Sequence, residues 1–145
     1  MMNKKFLALL IAFFLLLGCA KKEAHVEISD AWTRATQEGQ DVGAAYMTLK
    51  SNVDLTLTSV ESEFCEDIEI HSMSMENGVM KMRMLDELAL KADTPVSLSP
   101  GGFHLMLFDL EGPLRAGTEV RYTLHFKDKQ GKELIVDVNS PVKAE

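Results

Sequence analysis

Cysteine is nearly absent from this chain, with only Cys19 and Cys65 among 145 residues. If Cys19 carries lipid, Cys65 has no partner and no disulfide framework exists. A thioredoxin-type exchange role is excluded as well, because there is no C-x-x-C pair. No segment keeps a 3.6-residue apolar period over a dozen residues, so long helices are not expected; Asp86 to Ala92 has room for one helical turn at most. Enzyme signatures are missing too: no G-x-S-x-G, no glycine-rich phosphate loop after a strand and no H-E-x-x-H. Adjacent acids such as Glu66-Asp67 read as solvated positions, not as a positioned acid/base couple. An enzyme is not expected.

Long apolar runs are also scarce. Phe6 to Leu17, twelve residues behind Lys4 and Lys5, is too short to span a membrane but suits a signal-peptide core. The ending Leu16-Leu17-Gly18-Cys19 resembles a bacterial lipobox, with cleavage before Cys19 and lipid added to its sulfur. On this reading residues 1–18 are a lipoprotein signal peptide and residues 19–25 a polar tether. The protein then works in the periplasm or cell envelope, held to a membrane through Cys19. Loss of residues 1–18 leaves 13 basic against 22 acidic residues, a net charge of −9. That excess argues against nucleic acid and against a polybasic grip on lipid, and mildly favours the approach of cations.

What the chain does have is a series of brief alternating or apolar segments between turn residues. Val26 to Trp32, Ala44 to Lys50, Leu55 to Glu61, Asp67 to Met75 and Val79 to Leu85 are candidate strands. Pro95 to Leu98, Phe103 to Phe108, Val120 to Phe126 and Leu134 to Val138 complete the series. Short strands at this spacing predict one all-β domain, a sandwich or Greek-key barrel.

Five of the nine methionines fall in HSMSMENGVMKMRM, directly after His71. Asn77-Gly78 is a strong type I′ hairpin signal. With that turn, Met75 faces Met80, Met73 faces Met82 and His71 faces Met84, all six on one side of the ribbon. Lys81 and Arg83 take the other side. His104 and Met106 repeat the pattern, sharing a face of a later strand. Within Asp67 to His71, Ile68 and Ile70 should pack inward, which places His71 at a more open rim. A lone methionine usually fills core, but this many on a histidine-bearing face point to metal. Thioethers are soft and need no deprotonation, so Cu(I) is the expected ion. Register alone admits Met73, Met82 or Met84 as the sulfur donor. Cys65 is about 20 Å of extended chain from His71 at ~3.3 Å per residue, too far to join it. His125 and His25 read as solvated.

Together with Ser29-Asp30-Ala31-Trp32-Thr33-Arg34-Ala35 and Gly43-Ala44-Ala45-Tyr46, these residues resemble the PCu(A)C family of periplasmic copper chaperones. The family's motif is His, ten residues, Met, twenty-one residues, then His-x-Met, and His71, Met82, His104 and Met106 fit it without a gap. The resemblance spans Val26 to Pro141, leaving residues 142–145 as a tail. It implies a cupredoxin-like Greek-key β-sandwich that binds Cu(I) through those four side chains, and it selects Met82. Met73, Met75, Met80 and Met84 remain candidates for a secondary metal rim. The resemblance also implies delivery to the binuclear copper centre of cytochrome c oxidase, with an oxidase subunit or a thioredoxin-like assembly factor as partner. The alternative is a periplasmic copper buffer or tolerance protein without a dedicated recipient. A monomer is expected. Some members add a Cu(II) site on a His/Met-rich C-terminal tail, which Val142-Lys143-Ala144-Glu145 does not resemble.

Overall fold

The computed structural model describes residues 21–144; the segment 1–18 expected to be a signal peptide, and Cys19, lie outside them. Ten strands occupy most of this span: β1 (Val26–Arg34), β2 (Val42–Ser51), β3 (Leu55–Glu61), β4 (Cys65–Glu76), β5 (Val79–Leu85), β6 (Leu88–Leu90), β7 (Val96–Leu98), β8 (His104–Leu110), β9 (Glu119–Lys127) and β10 (Glu133–Lys143). Hydrogen bonds join them in the order β5-β4-β8-β2-β1-β10-β9-β3-β6, with β7 beside β2. The path bends where β1 meets β10 in parallel, Thr33 opposite Val142 and Arg34 opposite Lys143. Its two halves then close on one core. Ala45, Met47, Leu49, Ile70, Leu105 and Leu107 come from one half, and Leu57, Leu90, Val120, Tyr122, Leu124 and Phe126 from the other. The chain is an all-β, cupredoxin-like Greek-key sandwich.

Alternation explains which side of each strand is buried. Around the histidines, even residues of β4 and odd residues of β2 and β8 supply the core, so the opposite parity lies on the outer face there. At the far ends of β4 and β8, Cys65 and Leu110 depart from this parity and turn inward. Leucine supplies half of this core, and among the described residues Met47, 1% exposed, is its only methionine.

A buried hydroxyl group pins the bend. Thr33 Oγ1 lies 2.9 Å from both the Tyr122 hydroxyl and Ser140 Oγ, and all three residues are 0% exposed. Burial pushes the Tyr122 phenol far above its ordinary pKa, so it stays protonated as a donor. Thr33→Val would strand two buried hydroxyls at matched volume. Denaturant unfolding is expected to show a loss of about 1–3 kcal/mol.

Three expectations change. Asp86 to Ala92 contains a strand, not a helical turn: Leu88 and Leu90 alternate inward and pair with β3. A three-residue apolar alternation is too short to register as a strand in sequence. β10 runs past Pro141 to Lys143, and Val142 is 2% exposed in the core, so residue 142 belongs to the sandwich and not to a tail. The tether's last residues are held as well, since Asn52 accepts from the His25 backbone N–H and donates to the Glu23 carbonyl.

Candidate metal centre

The hairpin between β4 and β5 forms as its turn dictates. Asn77 and Gly78 both have positive φ, 51° and 75°, the type I′ combination whose twist matches the flanking strands. Glu76 pairs with Val79, Met75 with Met80, Met73 with Met82 and His71 with Met84. Glu76 binds Lys81 and Arg83 on the reverse face, at 2.9 and 3.0 Å. The methionines are left on the outer one.

On its other side β4 pairs with β8, and here His71 lies directly opposite His104. The two ring centroids are 5.6 Å apart. The loop before His104 fixes this position. β7 and β8 run along the same side of β2 as one interrupted strand, and residues 99–103 bulge from the break. Ser99 and Phe103 close the bulge by a 2.9 Å backbone bond. Pro100 and Gly101 from it overhang a shallow cavity of about 260 Å³, which Met73, Met82, His104 and Met106 also line. Ala44, opposite Met106 in β2, contributes only a methyl and leaves that space open. Tyr46 and Arg34 form the far wall, with Trp32 stacked on Tyr46 at 4.5 Å.

His71 does not sit at an open rim. It is 8% exposed and His104 5%, because the outer face of β4 is roofed by neighbouring side chains: the His104 ring, Phe108 at 6.3 Å and Glu69. Of the four motif residues Met82 is the exposed one, at 46%. Both imidazoles have one nitrogen already engaged. His104 Nδ1–H donates to the Gly102 carbonyl at 3.2 Å, leaving Nε2 free to ligate. His71 Nε2–H donates to the Glu69 carboxylate at 2.6 Å, and its buried Nδ1 has no partner. A ligating histidine with its second nitrogen held by a carbonyl or carboxylate is the usual arrangement at metal sites. Glu69 was not singled out from sequence, although its parity puts it on the His71 face.

Among the described residues no three of His, Cys, Asp and Glu gather to hold an ion. Thioether sulfur is what stands near the imidazoles instead: Met73, Met82 and Met106 line the same cavity as His104, and soft sulfur donors suit Cu(I). Met73 and Met82 both line the cavity, whereas Met75, Met80 and Met84 stand outside it, 63%, 55% and 57% exposed. Cys65 stays apart. It is a buried thiol opposite Leu110, and burial, then the charge of Asp67, pushes its pKa up to about 11. His125 lies between Glu61 and Glu133 on the other half of the sandwich.

Comparison with known proteins agrees with this architecture. The copper-bound PCuAC domain from PmoF2 superposes with a TM-score of 0.64 at 22% identity, covering 86% of this chain and all (100%) of that one. The solution structure of CuI-DR1885 from Deinococcus radiodurans gives 0.62 at 27% identity, covering 88% and 83%. A Leifsonia xyli protein named "Putative lipoprotein Lxx21020" is 29% identical over 121 residues, 81% of this chain and 72% of its own length. The family model described as "Putative lipoprotein LpqE-like" matches residues 26–139. The chain belongs to the LpqE-like family, and its domain has the PCuAC fold.

Proposed function

We propose that this protein is an envelope copper chaperone, lipid-anchored at Cys19, that binds Cu(I) through His71, Met82, His104 and Met106. It is not an enzyme on this reading: copper is cargo, to be surrendered to the binuclear centre of cytochrome c oxidase directly or through a thioredoxin-like assembly factor. The observation that carries the proposal is the pairing of His71 with His104 across β4 and β8, each with one ring nitrogen held and the other unengaged. Met82 and Met106 complete the donor set. The copper-bound relatives support the choice of ion.

The chemistry suits transfer. Neutral thioethers bind Cu(I) without releasing protons and escape disulfide formation outside the cytoplasm. An exposed Met82 beside buried imidazoles gives an acceptor a ligand it can displace first. Competition against a Cu(I) chelator should show that Met82→Ala combined with His104→Ala removes high-affinity binding; unchanged affinity would sink the assignment. Delivery is tested separately. A strain lacking the protein should lose oxidase activity at low copper, whereas copper sensitivity with normal oxidase would mark a buffer.

A further inference from the structure

Four of the exposed large apolar side chains on this hairpin are methionines, Met75, Met80, Met82 and Met84, with Val79 the fifth. Among the described methionines only Met47 is buried in the core, while those of the hairpin meet water. Core filling does not account for that division, and a merely greasy surface would not require sulfur.

The register arranges these sulfurs in rungs. In a two-residue hairpin the pair flanking the turn, Glu76 and Val79, is hydrogen-bonded, so the next pair out is not, and the two kinds then alternate. Met75/Met80, Met73/Met82 and His71/Met84 are thus all non-hydrogen-bonded pairs, the kind whose α-carbons approach to about 4.5 Å. All three rungs share one face, spaced two residues apart, about 7 Å. The outermost rung, Met75/Met80, lies beside the turn and outside the cavity.

We propose that Met75 and Met80 form a second, weaker, thioether-only Cu(I) site at the hairpin tip. From there the ion has one rung, Met73/Met82, between it and the imidazole pair. This rests on the copper reading of the principal centre and extends it. Two neutral sulfurs without imidazole bind less tightly than the four-donor set, so the tip fills second. Neither residue is roofed, so an ion held there is open to exchange with a donor or acceptor.

Silver(I), a soft, diamagnetic, redox-inert d10 ion, is a suitable probe. The full chain, labelled at methionine methyls and histidine rings, would be titrated with Ag(I) and followed by NMR. The first equivalent should move the His71 and His104 rings with the Met82 and Met106 methyls. The second should move the Met75 and Met80 methyls. Met75→Leu/Met80→Leu, a swap of similar volume at two exposed positions, should abolish the second event and leave the first affinity unchanged. Tip methyls that stay still at excess silver would overturn the proposal and leave an apolar docking face as the role of these residues. So would a second event that persists in the double variant. If the rings of His71 and His104 never move, the principal centre itself is refuted, and the proposal with it; that signal is independent of the tip methyls.

Discussion

Exchanging two neighbours, as the double variant Lys81→Met/Met82→Lys, is expected to weaken Cu(I) binding by about 100-fold or more, since loss of mere outer-shell support already costs 10–100-fold. Side chains alternate across β5. The swap therefore carries the thioether to the reverse face beside Arg83 and puts an ammonium toward the imidazoles. Composition, net charge and methionine count do not change. Both positions are exposed, and the Lys81–Glu76 pair given up is an exposed one, worth at most about 1 kcal/mol. The melting temperature should hardly move. Chelator competition beside a thermal melt checks both halves. If affinity survived, the number of sulfurs rather than their face would govern binding, and Met82 would lose its assigned place.

The second large effect is expected at Glu69. Its carboxylate accepts from His71 Nε2–H, which on the proposed reading leaves the unpartnered Nδ1 to bind the ion. Glu69→Ala removes that support and should lower Cu(I) affinity by about 10–100-fold. Glu69→Gln should retain most of it, because the amide oxygen still accepts the hydrogen bond. The direction of change is diagnostic. If His71 instead binds through Nε2, Glu69 must swing aside on loading, and its removal would raise affinity. Nitrogen-15 spectra of the Ag(I)-loaded protein separate the cases by which ring nitrogen shifts.

Much of this geometry was legible before any coordinates. Asn77-Gly78 dictated a turn, and with the period of two it placed Met73, Met75, Met80, Met82, Met84 and His71 in the register found. Leu55–Glu61 and Val79–Leu85 match their strands end to end because turn residues bracket them. Leu88–Leu90 escaped because three residues carry too little pattern, and its strand state comes from pairing with β3. Val142 escaped because its burial depends on a parallel contact with Thr33, more than a hundred positions away. For the site, local spacing could not say whether Met73, Met82 or Met84 faces His104. The family motif selects Met82, and the cavity retains Met73 beside it while excluding Met84.

By itself, then, the sequence determined everything that depends on neighbours: an all-β chain, the hairpin and its faces, and a soft donor set with no competing thiol close at hand. Tertiary structure alone decided that β4 pairs with β8 so that His71 meets His104. It also roofed both rings from water and gave Glu69 and Gly102 the task of holding their second nitrogens. The reason is physical. Alternation and turn chemistry act over a few residues, whereas strand partnership and burial are set by how the whole sheet closes around its core.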